Sequence, residues 1–155
     1  MALVTPVFLD TSILLGGLIE IGRSNAHAQA ILDAVAGARL RPAHTAWHCC
    51  LEFYSVATRL PPQFRVSPGD AVRLLEREIL GRCRVHQLPA RAHRSFLRDA
   101  ERERAAGGRI YDAHIAEIAR RSGSQTVLTD NRRHFSVLLR HGIRVLTAEE
   151  AAAEI

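Results

Sequence analysis

The chain is 155 residues long, which is one domain's worth, and its 47% hydrophobic and 24% charged content excludes a disordered chain or a disulfide-stapled miniprotein. Its formal charge is +5, and all 21 basic residues are Arg, with no Lys. Arg pairs bidentately with phosphate and stacks on bases, so the balance favours a nucleic-acid partner, although a base-composition bias in the coding DNA would give the same Arg-for-Lys exchange.

Val4 to Leu9 is short, apolar and β-rich and ends in Asp10-Thr11-Ser12, which reads as a buried strand feeding a helix. A helix is predicted from Ser24 to Ala38, with Ala28, Ile31, Leu32 and Val35 at helical spacing and Ser24 or Asn25 as N-cap. Leu40 to Ala43 reads as a short strand, and Thr45 to Leu60 as a helix stopped by Pro61-Pro62, with Leu51 expected on its packed side. A further helix runs from Ser67 to Leu80, a weak strand from Cys83 to Leu88, and a charged surface helix from Arg91 to Ala106, broken by Gly107-Gly108. Ile110 to Arg121 is helical, Thr126 to Thr129 is a compact strand ending at Asp130-Asn131, Ile143 to Leu146 is a last strand, and Thr147 to Glu150 carries a capping-box pattern. Strand, turn and helix repeat along residues 1–155, so the expectation is a single α/β domain with a mainly parallel sheet.

No run approaches the ~18 apolar residues of a membrane span, and no basic residue precedes the first apolar stretch, so neither a membrane segment nor a signal peptide is expected and the protein reads as cytoplasmic. Cys49, Cys50 and Cys83 form no zinc or disulfide spacing and read as reduced, buried thiols.

The carboxylates carry the functional signal. Asp10 and Asp130 each follow a predicted strand, which places both on the edge of a parallel sheet where ligands bind. Glu52 sits mid-helix among Cys49, Cys50, Leu51, Phe53, Tyr54 and Val56, and a carboxylate in such surroundings needs a cation, a donor or a metal. Asp112 falls in a first helical turn, where the helix dipole favours an acid whatever its function. Taken singly, each acid also reads as a cap, a turn residue or half of an ion pair.

Phe8-Leu9-Asp10-Thr11-Ser12, Glu52 in a helix, Asp112-Ala113-His114-Ile115-Ala116 and Leu128-Thr129-Asp130-Asn131-Arg132-Arg133-His134-Phe135, in that order, resemble the PIN-domain ribonucleases and, more narrowly, the VapC toxins of bacterial VapB/VapC pairs. The resemblance implies a three-layer α/β/α sandwich with a central, mainly parallel sheet, whose acids gather at one end and bind Mg²⁺ or Mn²⁺. It implies an endoribonuclease that cuts cellular RNA to 5′-phosphate and 3′-hydroxyl ends, is neutralised by a cognate VapB-type antitoxin, and forms a homodimer or a toxin–antitoxin hetero-oligomer. Asp10, Glu52 and Asp112 match the first three family acids. At the fourth, Asp130 stands one place early, Asn131 fills the family position, and His134 stands where a later acid is often found, so either Asp130 supplies a carboxylate or Asn131 a neutral oxygen. Thr11 and Ser12 match the hydroxyl residues after the first acid, where they would hold a ligand carboxylate or a water, or cap the next helix.

Hard cations prefer such oxygen ligands. Crowded carboxylates repel, so without metal at least one should hold its proton more tightly. Arg109, Arg132 and Arg133 flank the acids and are the candidate RNA-gripping cations. His44 and His48 would share a helix face, but Thr45 replaces the Glu of an H-E-x-x-H zinc motif. His114 and His134 stand beside the acids as secondary candidates. Two other readings compete: a basic nucleic-acid-binding module without chemistry, and a nucleotide-binding α/β protein supported only by Gly16-Gly17.

Overall fold

The central strand β1 is Val7–Leu9, three apolar residues with no exposed surface. The computed structural model of the protein describes residues 2–21 and 25–155. β1 pairs in parallel with β2 (Ala43–Ala46) on one side and β4 (Thr126–Leu128) on the other; β3 (Arg84–His86) and β5 (Arg144–Leu146) extend the sheet to the order β3-β2-β1-β4-β5. Leu9 lies opposite Leu128, and Val7 opposite both Ala43 and Thr126. All pairings are parallel, which the short, continuously buried strands of β1 and β4 anticipate.

The helices form two layers. α1 (Thr11–Leu18), α2 (Ala26–Ala36), α3 (Trp47–Ala57), α4 (Pro68–Leu74, extended by wider turns over Leu75–Leu80) and α7 (Ala148–Ala152) pack in one chain of contacts. α5 (His93–Arg102), α6 (Arg109–Arg121) and a run of 3₁₀ turns over Arg132–His141 form the other. Phe8, Phe53 and Phe135 are the largest side chains buried between them. The expected three-layer sandwich is therefore the architecture found.

Several boundaries differ from the sequence reading. Thr45 and Ala46 belong to β2, not to the following helix: they pair with Val85 and His86, and the Thr45 hydroxyl donates to the Leu9 carbonyl at 2.7 Å. The Arg91 helix stops at Arg102 because Arg104 takes a left-handed φ of 54° and Ala105 N–H closes onto the Ala100 carbonyl, a Schellman end. Leu51 is 53% exposed, and α3 buries Cys49, Cys50, Phe53 and Ala57 instead. Ser24, one of the two candidate caps of α2, lies outside the described residues; Asn25 makes no capping bond and donates through Nδ2 to the Ile19 carbonyl.

Gly16 and Gly17 have a packing explanation. A Cβ on Gly17 would meet Leu32 at 2.4 Å and one on Gly16 would meet Ala28 at 3.1 Å, so the pair lets α2 close against α1 and gives no support to a phosphate loop. The capping box forms as read, with Thr147 Oγ1 accepting from Glu150 N–H and the Glu150 carboxylate accepting from Thr147 N–H. All three cysteines are free and buried, and burial pushes the Cys50 thiol up to about 11 and Cys83 up to about 12. No helix among the described residues is long and apolar enough to cross a membrane.

Candidate active site

The chain lays β2 and β3 to one side of β1 and then crosses over to place β4 and β5 on the other, so the direction of winding reverses between β1 and β4. In a parallel α/β sheet this reversal opens a crevice at the carboxyl ends of the two strands. Asp10 follows β1 and Thr129-Asp130 follow β4, so both line that crevice.

Asp10 is 3% exposed and stands at the N-cap position of α1, yet its side chain makes no capping bond there. Its Oδ2 instead accepts from the hydroxyls of Thr129 (2.7 Å) and Ser12 (3.1 Å). Burial raises its pKa, the Thr129, Thr11 and Ser12 donors oppose that, and the charge of Glu52 raises it again. Glu52, on α3, accepts from the Thr11 hydroxyl through Oε1 at 3.0 Å, which supplies the donor its apolar surroundings demanded. Its pKa is also raised, by burial first and by the charge of Asp112 as well. Asp112, in the first turn of α6, has its Oδ2 2.9 Å from His134 Nδ1. Asp10 thus feels the charge of Glu52 and Glu52 that of Asp112, although the three come from distant parts of the chain.

Asp130 is held differently. Its N–H donates to Ser12 Oγ at 3.0 Å, and its Oδ1 accepts from Ala148 N–H at the start of α7 at 3.1 Å. Asn131 is exposed, and its N–H donates to Thr129 Oγ1 at 3.0 Å. Thr129, part of the motif after β4 but not among the candidate site residues, is wholly buried and binds both Asp10 and Asn131.

Of the candidate RNA-gripping cations, Arg132 is turned to Glu150 Oε1 at 2.5 Å. Arg109 and Arg133 are exposed, line a groove of about 790 Å³ together with Asp112 and His134, and have no carboxylate partner among the described residues. His44 and His48 do not share a helix. His44, in β2, meets His86 of β3 at 2.6 Å, the rings lying within 3° of parallel at 4.7 Å, which is two imidazoles bonded edge to edge in one plane. His48 bonds His114 instead, Nδ1 to Nδ1, at 2.7 Å.

As they stand, no three His, Cys, Asp or Glu side chains among the described residues converge closely enough to share one ion. Asp10, Glu52 and Asp112 are each turned to a hydroxyl or imidazole neighbour. The side chains of Asp10, Thr11, Ser12, Glu52 and Thr129 offer carboxylate and hydroxyl oxygens, the set a hard divalent cation prefers, and the pKa values of Asp10 and Glu52 are raised by burial first and by a neighbouring acid's charge last.

The PIN domain family model matches residues 7–140. The chain is 32% identical to ribonuclease VapC27 of Mycobacterium tuberculosis over 82% of its own length and 86% of that protein. It is 29% identical to ribonuclease VapC40 of the same species over 79% of this chain and 85% of that one. Its fold matches the crystal structure of M. tuberculosis VapC20, described as a sarcin–ricin loop cleaving toxin, with a TM-score of 0.59 at 16% identity, over 78% of this chain and 86% of that one. With the family model matched over most of its length and a VapC relative 32% identical, the chain belongs to the PIN-domain family and to its VapC branch.

Proposed function

We propose that the protein is a metal-dependent endoribonuclease toxin whose reaction centre is the crevice between β1 and β4. The observation that carries this reading is Asp10, buried at the carboxyl end of β1, with its pKa raised by burial first and by the charge of Glu52 last, while burial first and the charge of Asp112 last raise Glu52. The ribonuclease names of its VapC relatives support the same activity.

Asp10, Glu52 and Asp112 would hold Mg²⁺ or Mn²⁺, with Asp130 as the fourth acid. When bound, such an ion lowers the pKa of a water and offsets charge on the leaving oxygen of a phosphodiester. The chain's own residues prepare for this chemistry. Thr129 and Ser12 fix Asp10 through Oδ2, Thr11 fixes Glu52 through Oε1, and His134 Nδ1 lies 2.9 Å from Asp112 Oδ2 beside the groove. Arg109 and Arg133, unpaired among the described residues and beside Asp112, position the RNA backbone by its phosphates without reading sequence. A VapB-type antitoxin would silence the site by covering the crevice and pairing a basic side chain with these acids.

Cleavage of total cellular RNA by the purified protein, with Mg²⁺, Mn²⁺ or EDTA and beside Asp10→Asn, tests the proposal. Discrete, metal-dependent fragments with 5′-phosphate ends that vanish in the variant are expected. RNA bound but never cut under any metal would replace this reading with that of a binding module.

A further inference from the structure

His48 stands in the first turn of α3, one turn before Glu52, and His114 stands two residues after Asp112 on α6. Their Nδ1 atoms are 2.7 Å apart, and that bond joins α3 to α6. Tyr111 meets the His48 ring edge-on at 5.6 Å and Phe96 packs on His114 at 5.5 Å, so aromatic rings flank the pair on both sides.

A bond between two Nδ1 atoms requires one ring to donate and the other to accept. The direction follows from the free end of His48, whose Nε2 lies 3.6 Å from Glu52 Oε1. A nitrogen facing a carboxylate oxygen is favourable only when it carries hydrogen, which makes His48 the Nε2–H tautomer and leaves its Nδ1 as acceptor. His114 must then be the Nδ1–H donor. Thr11 already donates to the same Oε1 at 3.0 Å, so both neighbours act on one oxygen of Glu52.

We propose that His114 and His48 form a one-way relay, hydrogen-bonded from His114 Nδ1–H to His48 Nδ1 and completed by the electrostatic approach of His48 Nε2–H to Glu52 Oε1 at 3.6 Å, that orients the Glu52 carboxylate relative to Asp112. Both are positioning residues, and the relay needs no change of protonation. As a role in catalysis it rests on the ribonuclease reading.

Two measurements test it. Long-range ¹H–¹⁵N spectra of the protein labelled at histidine, in EDTA, should show His48 as the Nε2–H tautomer and His114 as the Nδ1–H tautomer; reversed tautomers overturn the relay. Calorimetric titration with Mn²⁺ should show His114→Phe binding about tenfold more weakly than the parent, the lower end of what loss of an outer partner of a metal ligand brings. His114→Asn keeps an N–H near the Nδ1 position and should recover to within about threefold of the parent, a return that separates loss of the donor from loss of the ring. Parent-like affinity in a folded His114→Phe overturns the relay, and if that variant does not fold, the tautomer spectrum decides. A parent that binds no Mn²⁺ and cuts no RNA defeats the ribonuclease reading alone, and the spectrum still judges the relay.

Discussion

Asp10→Asn should make the metal-free protein more stable while removing its activity. Asp10 is 3% exposed and its pKa is raised chiefly by burial, so the fold favours the neutral acid. A group raised in this way contributes stability that is fully present below its ordinary value of 3.8 and lost as pH rises through the folded value, so at neutral pH the ionised carboxylate strains the fold. Asn removes that charge. Its carbonyl oxygen can take the place of Oδ2 and keep the Thr129 and Ser12 donors, and its amide then turns toward the negative charge of Glu52. Every tenfold by which the fold weakens an acid corresponds to about 1.4 kcal/mol, and about 1 kcal/mol moves Tm by roughly 2–4 °C in a domain of this size. Thermal unfolding followed by circular dichroism in EDTA at pH 7 should therefore show a rise of about 3 °C or more per tenfold of that weakening, shrinking toward zero as pH falls below about 4. A variant less stable than the parent at pH 7, or an equal gain at both pH values, would refute the argument that Asp10 is a destabilised carboxylate held in place for a ligand.

Phe53→Ala should cost about 3–5 kcal/mol, because the ring is fully buried under α3, whereas Leu51→Ala, at 53% exposure, should stay within about 0.5 kcal/mol in denaturant titration. Thr129→Val removes the donor to Asp10 and strands the Asn131 N–H, so it should lower the urea midpoint by the equivalent of about 1–3 kcal/mol with m unchanged. Asp130→Ala removes an acceptor from the first turn of α7 and should cost about 1 kcal/mol in the same titration.

The parts of the site that can be read from the chain are those whose evidence is local. Asp10 stands out because β1 is a short apolar run that ends abruptly in polar residues, and β4 ends the same way before Asp130. Thr45 and Ala46 read as helix because nothing between β2 and α3 is a Gly or Pro; the strand passes directly into Trp47. The pairing of His44 with His48 assumes one helix for both, and it dissolves once His44 lies on a strand. Leu51 is misplaced by the sequence because Glu52 and its apolar neighbours leave the rotation of α3 undetermined, and only packing shows that Phe53 points inward. Thr129 stands in the motif that follows β4, but its bond to Asp10 is invisible in the sequence, since that carboxylate lies 119 residues away. Arg132 likewise looks free until the fold brings Glu150 beside it.

The hydrogen bonds around Asp130 also make the crevice mechanically continuous with α7. Ala148 N–H binds the Asp130 carboxylate, Asp130 N–H binds Ser12, and Ser12 binds Asp10, so three bonds carry force from the last helix to the most buried acid. A tag, fusion or surface tether attached beyond α7 therefore pulls on a lever whose other end is Asp10 in the crevice.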